Sequence, residues 1–234
     1  MPNWCSNYLS VSGDIPELVE KFYQTAKGKG LYWDKDGVTT ITDDKTEEQA
    51  LDFSRFLYPE GVEGSFHDVG YDWCVSNWGT KWNACFVECS RDINKNSNQF
   101  SVNYNFDTAW SPMSTELLQT MMRMFPSLTF EYQFNECGNA FYGSSDDNGE
   151  IQTFGYLESD EMWATLDKLY DVGYFKYDSK LDKEEQREEA YDELFEMFEG
   201  LIWESNCDHE IDAEELYNYI ISMWEFEKQT TAKN

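Results

Sequence analysis

The chain has 234 residues, with 46 acidic side chains against 17 basic ones, a formal net charge of −29 at neutral pH. A chain this acidic does not track nucleic-acid phosphates or settle on an anionic membrane, so neither is expected as a direct partner. With 41% hydrophobic and 17% aromatic residues it is also too rich in core-forming side chains for a disordered chain. The first predicted element is a strand over 4–12. A helix follows: Asp14 with Glu17 reads as a capping box, and Leu18, Val19, Phe22, Tyr23 and Ala26 form one apolar stripe. Residues 27–81 read as a long insertion. Gly28, Gly30, the Asp36-Gly37 pair and the stretch from Gly61 to Gly64 indicate loops there, with a short helix near 47–56.

Two strands are predicted next, over 82–89 and 100–106. In the second, Phe100, Val102, Tyr104 and Phe106 share one face. The polar linker 91–98 makes the pair an antiparallel hairpin. A second helix is expected from near Ser111, with Pro112 at its first position and the stripe Leu117, Leu118, Met121, Met122 and Phe125. Leu128, Phe130, Tyr132 and Phe134 then alternate as a half-buried strand, and two short strands flank the turn at 146–149. The order β-α-(insertion)-β-β-α-β plus a hairpin is the split βαβ, or ferredoxin-like, order.

The last third reads as three helices. Ser159 caps one carrying Met162, Trp163, Leu166, Leu169 and Tyr170. A long one runs from about Asp182 to Trp203, with Tyr191, Leu194, Phe195, Phe198, Leu201 and Ile202 inward. The third starts at Asp212, with Glu215 completing a capping box and Ile211 stapled onto Leu216. The expected fold is therefore α+β: a ferredoxin-like antiparallel sheet domain over 1–156 with its insertion at 27–81, then an acidic three-helix segment over 157–234. Residues 1–156 hold 23 acids and 10 bases, and 157–234 hold 23 acids and 7 bases, so the helical third is the more acidic part at −16.

Four blocks carry a resemblance. They are Met1-Pro2-Asn3-Trp4-Cys5-Ser6-Asn7, Trp78-Gly79-Thr80-Lys81-Trp82-Asn83, Phe106-Asp107-Thr108-Ala109-Trp110-Ser111-Pro112 and Phe125-Pro126-Ser127-Leu128-Thr129-Phe130. In this order they resemble the YubB-type ferredoxin-like domain family of bacteriophages and conjugative plasmids, over roughly 1–156. The resemblance implies the fold and a mobile-element origin. It implies no biochemical activity and supplies no catalytic residues, and the helical segment lies outside it.

Several chemistries are set aside. Six cysteines (Cys5, Cys74, Cys85, Cys89, Cys137, Cys207) include no C-x-x-C pair. With no secretion signal visible at the N-terminus, they are expected to be reduced cytosolic thiols, mostly buried, in a bacterial host cell. Cys85 and Cys89 on one strand would stand about 13 Å apart, too far to share a metal. His67 and His209 are the only histidines, so no metal or cofactor is expected. The series Asp92, Asn94, Asn96 begins like a calcium loop but has Ser97 and Asn103 where Gly and Glu are needed. No stretch of 18 apolar residues suggests a membrane span.

Two candidate surfaces remain. The first is the acidic helix, with Glu184, Glu185, Glu188, Glu189, Asp192, Glu193, Glu196 and Glu199. Glu185, Glu189, Asp192 and Glu196 form one stripe rising about 6 Å per four residues, comparable with a row of phosphates spaced about 3.4 Å per nucleotide along DNA. Charge runs are ordinarily solvated faces. Here like charges at i,i+4 work against the helix, which favours a compensating use. The expected role is a non-enzymatic counter-defence protein whose acidic, nucleic-acid-mimicking face binds a host protein with a basic nucleic-acid-binding or defence-related site. The second surface is a tryptophan-lined cleft around Trp78, Lys81, Trp82 and Trp110, which would hold a small molecule or nucleotide.

Overall fold

The computed structural model describes residues 3–35, 37–43, 45–92, 100–179 and 181–231. The polar linker and the calcium-loop test of the sequence reading fall mostly on 93–99, outside the described residues, as does Asp36 of the first turn. Contacts divide the chain into two compact units, 1–153 and 154–234.

The first unit is built on the strands β1 (Trp4–Gly13), β4 (Cys85–Asp92), β5 (Phe100–Ala109), β6 (Thr129–Glu136), β7 (Phe141–Ser145) and β8 (Ile151–Gly155), whose last residues run into the second unit. They form one sheet in the order β4-β5-β1-β6-β7-β8. β1 pairs antiparallel with both β5 and β6, and β4 pairs antiparallel with β5. With α1 (Pro16–Ala26) after β1 and α3 (Thr115–Met124) after β5, this is the ferredoxin-like order, extended at β6 by the β7-β8 hairpin. The alternation of β5 is realised: Phe100, Val102, Tyr104 and Phe106 are buried. Phe22 of α1 meets Phe56, Tyr104, Phe125 and Phe130 at ring-centroid distances of 5.2–6.2 Å, so both helices close over the same face.

Local signals were overridden at three places. Asp14 does not cap α1. The helix starts at Pro16 behind Ile15, with no side-chain cap, because proline's fixed φ suits the first position and leaves no N–H there to satisfy. α3 begins at Thr115, capped by Ser114, rather than near Ser111. Residues 111–114 stay extended because Met113 N–H donates to Tyr132 Oη and Ser114 N–H to the Trp78 carbonyl. The helix expected near 47–56 is instead an extended segment bridging Gly28 with Gln49, followed by a 3-10 turn over Phe53–Arg55. The insertion also contains the hairpin β2 (Leu31–Asp34) and β3 (Gly37–Thr40), a π-helical turn (Phe66–Gly70) and the helix α2 (Tyr71–Trp78).

β4 carries a bulge. Cys85 pairs with Asp107 but Glu88 with Asn105, so one extra residue enters β4, with Phe86 at φ +50° and 71% exposed. The bulge breaks the inward alternation, and Cys89, one of the thiols expected to be mostly buried, is exposed. Cys5, Cys74 and Cys207 are buried, Cys85 is half-buried, and Cys137 is exposed like Cys89. Burial pushes the Cys74 and Cys207 thiols up to about 12, so they are unreactive near neutral pH.

The first three resemblance blocks are joined by hydrogen bonds. Asn7 donates through Nδ2 to the Cys5 and Phe106 carbonyls and to Thr108 Oγ1, and accepts from Tyr132 Oη. Thr108 donates to the Ser111 carbonyl and Ser111 to the Gly79 carbonyl, at 2.6 Å each. Thr80 Oγ1 donates to the Ala109 carbonyl and accepts from Ala109 N–H. These residues hold strand ends together.

The second unit packs α4 (Ser159–Asp171), α5 (Lys183–Glu204) and α6 (Ala213–Thr231) against one another. Its core includes Met162, Leu166, Leu194, Phe198, Ile202, Leu216 and Ile220. Glu158, not Ser159, caps α4, in a capping box with Glu161. Asp182 caps α5 by accepting from Glu184 and Glu185 N–H, and Asp212 caps α6 in the same way through Glu214 and Glu215. No helix of the described residues is long and apolar enough to cross a membrane.

Candidate functional site

Helix α5 turns Ala190, Leu194, Phe198, Leu201 and Ile202 into the bundle. That sets Glu184, Glu185, Glu188, Glu189, Asp192, Glu193 and Glu196 on the exposed side. Glu199 departs from the expected row. It is half-buried and accepts from Tyr156 Oη at 3.3 Å, because it lies next to the buried Phe198 at the edge of the packed face.

The two cations within the run do not neutralise this face. Arg187 donates to Asp167 of α4 at 2.7 Å and to Tyr177 Oη, and its guanidinium lies 5.3 Å from the Trp163 ring centroid. Lys183 Nζ lies 5.2 Å from the Tyr177 ring centroid. Among the described residues none of the seven exposed acids forms an ion pair. The arrangement is a carboxylate surface whose nearest cations are drawn off to the other side of the helix. Such a surface attracts Lys and Arg and repels phosphates.

The same unit pairs its histidine with two carboxylates. His209 Nδ1 is 2.7 Å from Asp208 Oδ1, and Nε2 is 2.8 Å from Glu215 Oε1. The hydrogen bond to Asp208, then that to Glu215, raises the imidazole above its ordinary 6.5. A raised folded-state value contributes stability that is fully present below the unfolded value and is lost as pH rises through the folded one. An NMR titration of His209 is expected to give a midpoint above that of an unstructured peptide, and Glu215→Gln is expected to lower it; an unshifted midpoint contradicts the contact.

The predicted tryptophan cleft is partly assembled. Trp78 and Trp82 line a cavity of about 460 Å³ in the first unit, together with Trp33, Phe66, Cys74 and Asn83. Lys81 and Trp110 are not in its lining. Lys81 Nζ lies 4.4 Å from the Trp82 ring centroid. Trp110 follows the end of β5 with φ +74°, its N–H donating to the Asn3 carbonyl, and is 46% exposed. Trp33 is not among the residues expected from the sequence, because glycines and turn pairs dominate the insertion; its alternation with Leu31 and their place before the Asp36-Gly37 pair are the signals that point to it.

The wall of this cavity is organised by a buried carboxylate that sequence reasoning also missed. Asp52, fully buried, accepts from Gly30 N–H at 2.8 Å, Ser54 N–H at 3.0 Å, Ser54 Oγ at 2.7 Å and Asn83 Nδ2 at 2.7 Å. Asn83 Oδ1 in turn accepts from Phe53 N–H and Ala84 N–H, both at 2.9 Å. Gly28 must lack a side chain here, since a Cβ would run into the Asp52 carboxylate.

Residues 91–202 match the family model of a ferredoxin-like domain in Api92-like protein. The match runs from the end of β4 into α5; it agrees with the ferredoxin-like fold, and the YubB-type family expected over roughly 1–156 is not the one matched. The crystal structure of a protein api92 from Yersinia pseudotuberculosis is similar at a TM-score of 0.44 and 11% identity, over 68% of this chain and 99% of that one. No curated protein matches.

Proposed function

We propose that the chain is a non-enzymatic accessory protein of a bacteriophage or conjugative plasmid that works in the bacterial cytoplasm. Its exposed α5 face binds a host protein at a basic nucleic-acid-binding or defence-related site and excludes nucleic acid from it. The observation that carries this reading is the run of seven exposed carboxylates whose two interspersed cations are engaged elsewhere. Like charges at i,i+4 weaken a free helix, and a partner's Arg and Lys side chains relieve that cost on binding. Steering by the acidic face accelerates encounter. Leu181, 59% exposed immediately before the Asp182 cap, supplies an apolar contact that slows release. The mobile-element origin rests on the four YubB-like blocks, and the non-enzymatic character on that family's lack of known chemistry.

The test is capture from bacterial lysate on the immobilised chain at low salt, with elution by duplex DNA, followed by affinity measurement on the eluted protein. The variant Glu185→Lys, Glu189→Lys, Asp192→Lys, Glu196→Lys is expected to weaken that affinity by at least about a hundredfold, and moderate salt to weaken it steeply. Equal affinity for the variant, or no dependence on salt, sinks the reading.

A further inference from the structure

A second cavity of about 290 Å³ adjoins the aromatic one and shares Lys29 and Ile41 with it. Its chemistry is different. Lys27, Lys29 and Arg55 line it, with Thr40, Thr42 and one acid, Glu48. Three of the ten bases in residues 1–156 thus converge on one chamber of a chain whose net charge is −29. We propose that the two adjoining cavities bind one nucleotide across their shared rim at Lys29 and Ile41, with the nucleobase against the tryptophans and the phosphates on the cations.

The backbone between the chambers is fixed before any ligand arrives. Gly28 and Gln49 exchange N–H···O bonds at 3.2 and 2.9 Å, Ile41 N–H donates to the Gly30 carbonyl, and Asp52 N–H to the Ala26 carbonyl. Gly30 N–H is held by the Asp52 carboxylate. Segment 26–30 is therefore anchored from three directions, and Lys27 and Lys29 project from it. Lys29 Nζ donates to the Asp43 carbonyl at 2.9 Å, Arg55 Nε to the Thr25 carbonyl at 3.2 Å, and Lys27 Nζ lies 4.1 Å from the Tyr23 ring centroid. These contacts are to neutral groups, so the positive charges are not cancelled by them. The aromatic chamber falls within the roughly 300–1,000 Å³ typical of small-ligand sites. Its indole faces suit any base, and the half-buried Gln49 offers a polar edge. Lys29 is common to both walls. The chain's overall negative charge acts over distances that moderate salt screens within about 10 Å, whereas the three cations would touch the ligand.

The experiment titrates the full chain with ADP, GDP, CDP and UDP, and with adenosine and inorganic pyrophosphate, reading tryptophan fluorescence and calorimetric heat. At least one diphosphate is expected to bind with a Kd at or below about 0.1 mM. Its nucleoside and pyrophosphate alone are each expected to bind at least about tenfold more weakly, because each fills one chamber. Lys27→Ala, which touches only the basic cavity, should raise the diphosphate Kd about tenfold while leaving adenosine unchanged, and Trp82→Leu should weaken adenosine and the diphosphate alike. Unaltered urea unfolding of the lysine variant establishes that its fold is retained. Absence of heat and quenching with all four diphosphates at about 1 mM overturns the proposal. So does a diphosphate Kd that the lysine variant leaves unmoved, or adenosine binding as tightly as ADP.

Discussion

Asp52→Ala is expected to destabilise the 1–153 unit by about 3 kcal/mol, a large part of the 5–15 kcal/mol typical of a whole protein. The substitution leaves Gly30 N–H, Ser54 N–H and Asn83 Nδ2 without their acceptor, in a place where the carboxylate itself is fully buried. Each donor left buried costs about 1–3 kcal/mol, and relief from burying a carboxylate offsets part of the sum. Asp52→Asn is expected to cost less, about 2 kcal/mol, since one amide oxygen still accepts while its NH2 group opposes a donor. Urea unfolding followed by tryptophan fluorescence, with hydrogen exchange at Gly30 as a local probe, reads both variants. Unchanged midpoints would mean that water replaces the carboxylate and that the hub does not organise the cavity wall.

The second large effect is expected from Gly79→Ala, at about 2–4 kcal/mol. Gly79 closes α2 at φ +81°, a conformation that an L side chain resists. The space is also closed: a Cβ would stand 2.6 Å from Ser114 N and 2.9 Å from the Pro112 carbonyl oxygen. Both are backbone atoms, held by the Ser114–Trp78 and Ser111–Gly79 hydrogen bonds, so no rotamer change can clear them. Gly200→Ala is the control, because no atom lies within 4 Å of a Cβ built there and a helix interior favours alanine. Thermal unfolding should separate the two variants by several degrees in opposite directions. A Gly79→Ala variant as stable as the parent would show that the contact between the second and third blocks opens readily.

The sheet was legible because its signals are repetitive. Phe100, Val102, Tyr104 and Phe106 announce a one-sided strand at four successive positions, and the order of such strands with two amphipathic helices defines the topology. The helices of the second unit were legible for the same reason, and their Asp182 and Asp212 caps stand where the pattern put them. The insertion was not, since its structure is held by single long-range contacts. Asp52 looks in the sequence like any acid of a short helix; only the approach of Gly30 and Asn83, 22 and 31 positions away, makes it a hub. The cavity was half legible. Trp78 and Trp82 were named from a motif, Trp33 lay hidden in the insertion, and Trp110 shared the motif but turned outward with its left-handed backbone. The basic chamber left one trace, the run Lys27-Gly28-Lys29-Gly30, where small residues let two lysines stand on a tightly bonded segment. On α5 the helical period placed seven of eight acids correctly, and Glu199 failed only because it borders the packed stripe.

The bulge in β4 bears on the open edge of the sheet. β4 is an edge strand, and an edge offers unpaired N–H and C=O groups to any passing chain. The extra residue at Phe86 throws that edge out of step with an incoming strand, and the exposed Glu88 and Asp92 add charge along it. A flat continuation of β4 would have been a template for aggregation; the kink removes it while leaving the β4–β5 pairing on the inner side intact.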